Sequence, residues 1–417
     1  MTSSFPTATN SGTADAIPAG WSSILPPGCI TQLTAFFAFQ RELMRIEAAW
    51  MAGVPYWDAK QAIARHVLAD AHHAEGLLKR LHELKATSAE HKQLPGIEEA
   101  VRDIASAVHG DEWLHGLYTV VKPWFVSELE SYLLLSDPVM DEPSGSLLAT
   151  VIEDQRRQIA WFRDYRPKFS AWESTDTAAW CVFVRARLTP ALLRGGEPAK
   201  TLPLPAGHTA FGGIAAVRRD RTFRVQNKSG YPRDGGTYAE KRFLIFYNHS
   251  QEMQFAESLG AILYETAGMP WAFHHDLARH MADEVRHATM GQIRLEQLGV
   301  RLTEVPMQTQ HYEFRSHLDP LERFCLMTLV MEGTAFERKR GHVELFEANG
   351  DTVSALYETY DIKDEMLHTN LGHVWVPILL RVYHDSRSVS ELTEHCRAQI
   401  SQVISEYPLD AANMIKR

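Results

Sequence analysis

The stretch "ADEVRHA" (residues 282–288) sets an aspartate and a glutamate ahead of a histidine, and "KDEMLHT" (363–369) repeats the order Asp-Glu-x-x-His. Both lie in long runs whose apolar residues recur at helical spacing. Positions i and i+3 share one face of a helix. Glu284 and His287 can therefore offer a carboxylate oxygen and an imidazole nitrogen to one ion, and Glu365 and His368 can do so for a second. Two such pairs in one chain predict a dinuclear metal site inside a helical bundle.

Bridging carboxylates must then come from the two remaining helices. Glu257 lies 12 residues before Met269, in the turn "AGMP" (267–270), and Glu284 lies 15 after it. Glu332 lies 17 before Asn349, in "EANGD" (347–351), and Glu365 lies 16 after it. Residues equidistant from a turn stand level in an antiparallel helix pair, and both pairs match to within about one turn. The expected ligand layer is Glu257, Glu284, His287, Glu332, Glu365 and His368, with the glutamates as the catalytic bridging or terminal ligands. Six oxygen and nitrogen donors without sulfur suit two iron ions, or manganese. Asp283 and Asp364, each four residues before a ligand histidine, can accept its distal ring N–H, either on the same helix or across the site. His280 and Asp361, one turn before Glu284 and Glu365, are candidates for an extra ligand. Burying four carboxylates without a cation would cost several kcal/mol each.

The order Glu, Glu-x-x-His, Glu, Glu-x-x-His on four helices resembles the signature of the ferritin-like di-iron carboxylate superfamily. Residues 249–384 resemble more closely an uncharacterised bacterial branch of it. That branch carries ExQxxE on its first helix and DExxHxxxGxxW on its last, here "EMQFAE" (252–257) and "DEMLHTNLGHVW" (364–375). The similar di-iron arylamine N-oxygenases carry an extra histidine one turn before an ExxH, although before the other one. The resemblance implies an all-α dominated fold and O2-dependent oxygenase or oxidase chemistry on a small organic substrate: hydroxylation, N-oxygenation or desaturation. Electrons would come from a ferredoxin or flavin reductase partner. The alternatives are a tRNA-modifying hydroxylase, an iron-handling ferroxidase or store, and a manganese enzyme.

The N-terminal half matches the C-terminal one. "GVPYWDAKQAIARHVLADAHHA" (53–74) aligns with "GMPWAFHHDLARHMADEVRHA" (268–288), so that His66 meets His280, Asp70 meets Glu284 and His73 meets His287. Glu42 falls opposite Glu257, and Glu128, with Glu130 as competitor, stands for the third-helix ligand. In "IEDQRRQIAWF" (152–162), Asp154 aligns with Asp364, which puts Gln155 and Gln158 where Glu365 and His368 stand. Neutral amides balance metal charge poorly, so this half is expected to be a metal-free, degenerate bundle; the matching place of His66 also favours a packing role for His280. Tyr264 is expected in the core or at the pocket, His373 to be structural, and His274 and His275 to be exposed.

The 417 residues thus divide into a disordered tail (1–28), a degenerate ferritin-like bundle (29–166), a basic, mixed and β-containing insert (167–241), and a di-metal bundle with a C-terminal helix (242–417). Within the insert "AWCVFVRAR" (179–187) alternates like a strand, and "VRRDRTFRVQ" (217–226) reads as a hairpin turning near Asp220. Residues 185–242 hold twelve Lys or Arg against four Asp or Glu, a balance of +8, and the rest of the chain carries −18 of the net −10. An acidic body with one basic segment argues against a general nucleic-acid binder. The basic residues either bridge to the acidic body, dock an acidic partner, or bind an anionic substrate. No apolar run reaches the roughly 20 residues that span a bilayer, and residues 1–28 lack the pattern of a signal peptide. Four scattered cysteines fit a reducing, cytoplasmic setting. The expected assembly is a monomer or homodimer.

Overall fold

The computed structural model describes residues 26–165, 177–194, 202–214, 216–226 and 236–403. Among these, everything regular is helical apart from one pair of three-residue strands. The first helices are α1 (Pro26–Trp50), α2 (Trp57–Glu83), α3 (Pro95–Ala105), α4 (Gly110–Gly116), α5 (Lys122–Leu135), α6 (Glu142–Tyr165) and α7 (Thr177–Arg187). Strand β1 (Arg224–Gln226) precedes α8 (Tyr238–Gln251), α9 (Met253–Glu265) and α10 (Trp271–Gln297). Then come β2 (Pro306–Gln308), α11 (Gln310–Ser316), α12 (Pro320–Cys325), α13 (Phe336–Ala348), α14 (Thr352–Val382) and α15 (Val389–Val403).

The four long segments of each half pack around their own apolar centre. In the first half α1 lies on α2, α2 on α6 and α6 on α5. Phe36 and Phe39 of α1 close the ring edge-on against Phe125 and Trp124 of α5. In the second half α8 and α9 form one broken rod against α10, which packs on α14; Phe246 of α8 stacks on Phe346 of α13. On α10, Leu277, Met281 and Val285 recur every four residues and are buried, a helical stripe in which each side chain contributes about 1.5–3 kcal/mol.

The third rod of each half contains a π-helical turn, Leu117–Val121 before α5 and Leu326–Glu332 after α12. Such a turn inserts extra backbone and rotates every residue after it relative to a 3.6-residue repeat.

α2 and α10, both 27 residues long, run side by side and antiparallel where the halves meet. Trp57 at the start of α2 donates its indole N–H to Gln292 near the end of α10, and Trp271 at the start of α10 donates to Glu75 of α2. α1 also packs on α9. There Gly260 is required, because a Cβ at that position would collide with the carbonyl oxygen of Ala48.

Several expectations are corrected here. α1 starts at Pro26, inside the expected tail, whose residues 1–25 lie outside the described ones. Residues 179–187 belong to helix α7: Trp180, Phe183, Val184 and Arg187 face inward at helical spacing, and the apparent alternation is incidental. Residues 217–226 form no hairpin. The chain turns at Asp220, but its first limb bonds the 52–55 turn (Arg218 N–H to Ala52 O, Asp220 N–H to Pro55 O), while β1 pairs in parallel with β2. Three of the described basic residues of this segment bridge to the acidic body, Arg187 to Glu99 and Asp103, Arg219 to Glu257, and Arg242 to Asp351. Among the described residues no helix is long and apolar enough to cross a membrane.

Candidate metal centre

α10 and α14 bring their two Glu-x-x-His pairs face to face in the second bundle. Glu284, His287, Glu332, Glu365 and His368 are all buried there and converge with His280, Asp361 and Glu252. The cluster has two ends. At one, ligand atoms of His280, Glu284, Glu332 and His368 lie within 4.8 Å of one another. At the other, His287 Nδ1 lies 3.4 Å from Glu252, 3.2 Å from Asp361 and 3.8 Å from Glu284. Glu284 and Glu365 stand between the two.

Both histidines of the pairs are oriented alike. His287 turns Nδ1 into the cluster and hydrogen-bonds Asp364 through Nε2 at 3.1 Å. His368 turns Nδ1 to Glu284 at 3.2 Å, and its Nε2 faces Asp283 at 3.5 Å. Each aspartate thus serves the histidine across the site, which fixes the ring so that Nδ1 points inward. Arg286 contacts both aspartates and Arg279 bonds Asp283. His280 is no packing residue: its ring stacks on that of His368 at 3.7 Å, and Nε2 is 3.1 Å from Glu332.

Glu257 does not join the cluster. It is fully buried elsewhere, where Lys60 of α2 and Arg219 of the insert both bind it, Arg219 through two nitrogens. Glu252, at the break between α8 and α9, takes the place expected of it. The turn arithmetic already favoured Glu252, which lies 17 residues before Met269 against 15 for Glu284. The repeat match with Glu42 pointed the other way. Glu42 itself pairs with Arg41 and Arg45 on the wall of a separate polar cavity of about 330 Å³, which Tyr264 also lines. His274, expected at the surface, is buried and bonds Thr266 O, whereas His373 is exposed.

Sequence reading also missed Lys339. It sits seven residues after Glu332, but the helix is interrupted at 333–335 between the π-helical turn and α13, so helical spacing gave no signal for it. Its ammonium is buried 2.6 Å from both Asp361 and Glu365. A second missed feature is a row of contacts leaving Glu252. His249 Nδ1 is 3.2 Å from Glu252, His249 Nε2 is 2.9 Å from Glu358, and His342, a quarter exposed, is 2.7 Å from the other Glu358 oxygen.

Five carboxylates against one ammonium leave the cluster short of positive charge. Burial works against charge on His368, yet Asp283, Glu284 and Glu332 raise it to about 10. His287 and His280 are raised in the same way, against burial, by Asp361 and Glu332 among others. Glu365 moves the opposite way: burial, together with Glu332, Asp361 and Glu284 and opposed by Lys339, pushes it up to about 8. Among the described residues, Glu284 Oε1, Glu332 Oε2, Glu365 Oε2, His287 Nδ1 and His368 Nδ1 are buried without a hydrogen-bond partner. Inward-facing acceptors of this kind fit a bound cation, and the oxygen and nitrogen donor set fits iron or manganese.

The first half shows the same frame with other contents. His73 Nε2 bonds Asp154 at 2.8 Å, as His287 bonds Asp364. Asp70 occupies the place of Glu284, and both Gln155 and Gln158 donate to it. The cation is Lys122, directly after the π-helical turn, 2.6 Å from Glu47 and 2.7 Å from Asp70. Glu47 and Lys122 thus stand where Glu42 and Glu128 were expected. Glu128 lies elsewhere, buried with Arg194 as its nearest charge, and Glu130 pairs with Arg156 at the surface. His66 bonds the Tyr118 hydroxyl and packs on Trp161.

Residues 215–411 match the model of a family described as "Protein of unknown function (DUF455)". That segment holds every member of the second-half cluster. Neither the curated proteins nor the solved structures contain a match.

Proposed function

We propose that this chain is a non-haem di-iron oxygenase or oxidase of the ferritin-like kind, acting with O2 on a small organic substrate. The observation that carries the reading is the pair of histidines aimed by opposite aspartates at five carboxylates, four of them buried. Glu332, His368 and His280 would hold one ion, Glu252, His287 and Asp361 the other, with Glu284 and Glu365 between them. When bound, a pair of iron ions supplies the capacity to take electrons from an external donor and pass them to O2.

The chain's own contribution is orientation, exclusion of water and proton supply. Asp283 and Asp364 lock the imidazoles, so that no ring rotation accompanies binding. Burial of all the donors but Glu252 keeps bulk water out. Glu252 connects the site to the surface: a proton entering at His342 can pass to Glu358, to His249 Nε2, and from Nδ1 to the Glu252 carboxylate. Burial opposes charge on His249, but Glu252 and Glu358 raise it to about 10, so it holds a proton for delivery.

The test is anaerobic iron loading of the full chain followed by rapid mixing with O2. Up to two iron ions per chain and a transient visible absorption are expected, both lost in Glu284→Ala. A chain that retains no iron at any concentration removes the proposal.

A further inference from the structure

We infer that Lys339 is a resident cation of the second-half cluster, so that the site accepts one metal ion readily and a second only when this side chain withdraws. The inference rests on the metal reading above and makes its two ion positions unequal.

The geometry divides the cluster cleanly. The end built from His280, Glu284, Glu332 and His368 forms a complete four-donor set and has no ammonium contact among the described residues. At the other end the Lys339 ammonium already lies 2.6 Å from Asp361 Oδ2, 2.6 Å from Glu365 Oε1 and 3.9 Å from Glu252 Oε1. These are carboxylates that a second ion would need. An ammonium presents its three N–H donors to carboxylate oxygens and supplies one unit of the charge a metal would supply. It cannot share that space with an ion held at about 2.0–2.2 Å by the same oxygens.

The same chain uses this device elsewhere. In the first half Lys122 draws Glu47 and Asp70 together in a fully buried site whose other former donors are amides. The two lysines are not at matching positions, since Lys122 opens α5 directly after a π-helical turn while Lys339 lies in the first turns of α13. An internal ammonium has therefore been placed against these carboxylates twice, by separate routes. Lys339 also has a way out. Its neighbours Glu337, Arg338 and Arg340 are exposed, so α13 is a surface helix and rotation of a four-carbon stem takes the ammonium to solvent.

The test titrates metal-free, full-length protein with Mn(II), following bound and free ion by electron paramagnetic resonance. The wild type is expected to bind one ion tightly and a second at least about tenfold more weakly. Lys339→Met and Lys339→Gln are expected to bind two ions whose affinities differ by less than about threefold. Equal affinities in the wild type, or a second ion bound as weakly in both variants as in the wild type, would overturn the inference while leaving the metal reading intact. Anomalous diffraction from wild-type crystals at one equivalent of Mn(II) needs no variant. A single peak between His280 and His368, with Lys339 still on Asp361 and Glu365, supports the inference; equal peaks at both ends overturn it. Absence of bound manganese at every concentration would fell the metal reading and this inference together.

Discussion

The two halves place a histidine, an acidic residue and an orienting aspartate in one arrangement, yet balance their buried charge by different means. In the second half His287 leans on Asp364 and faces several carboxylates. In the first half His73 leans on Asp154 in the same manner but faces Asp70, tied to two glutamines and a lysine. In the first half one ammonium balances one carboxylate, and Glu47 keeps its proton, since burial outweighs Lys122 and pushes it up to about 8. Both halves keep buried polar atoms without a hydrogen-bond partner, on Glu47, His73, Gln155 and Gln158 in the first and on Glu284, Glu332, Glu365, His287 and His368 in the second. What separates the halves is donor chemistry: among the described residues, every group of His, Asp and Glu side chains close enough to hold a metal ion lies in the second half, while amides and a lysine surround Asp70 in the first.

The largest effect that could break this comparison is on metal content. Glu284→Ala should abolish dinuclear binding, whereas Asp70→Asn in the first half should leave metal per chain unchanged; elemental analysis of purified protein distinguishes the two. Next is stability. Lys122→Met leaves Glu47 and Asp70 buried without their cation and should cost about 3–5 kcal/mol in denaturant unfolding of the metal-free chain.

A pH dependence follows from Glu47. Its carboxyl is raised in the folded state, so its stabilising contribution is complete below its unfolded value and is lost as pH rises through about 8. Glu47→Gln should therefore flatten the decline in stability between the two values by a few kcal/mol, read from unfolding midpoints at pH 5, 6.5 and 8. The smallest effect concerns orientation. Asp364→Asn frees the His287 ring and should weaken metal binding by about 10–100-fold, while Asp154→Asn should not alter it.

Helical periodicity and the repeated Asp-Glu-x-x-His made the helical fold, five of the clustered residues and the paired aspartates legible in the sequence, but not which histidine each aspartate serves. The remainder was hidden by breaks in the helical repeat. The interruption at Glu252 and the π-helical turn ahead of Lys122 shift the facing residues, whereas the match between the halves, which assumes unbroken helices, pointed to Glu257 through Glu42 and to Glu128 on the third rod. Lys339 was overlooked because a lysine is by default a surface residue; only its carboxylate neighbours, brought in from another helix, make burial affordable. The strand-like look of residues 179–187 failed because alternation over one short apolar run does not tell a buried helix from a strand.

Glu257 has a consequence beyond its absence from the metal cluster. Its two cations come from different parts of the chain, Lys60 from the amino-terminal bundle and Arg219 from the connecting segment, and Gly260 one turn on lets the Ala48 backbone dock against the same helix. Excising the carboxy-terminal bundle would strand a buried anion with half its counter-charge and bare the α9–α10 flank. The amino-terminal bundle thus supplies part of the packing and counter-charge on which the carboxy-terminal one depends.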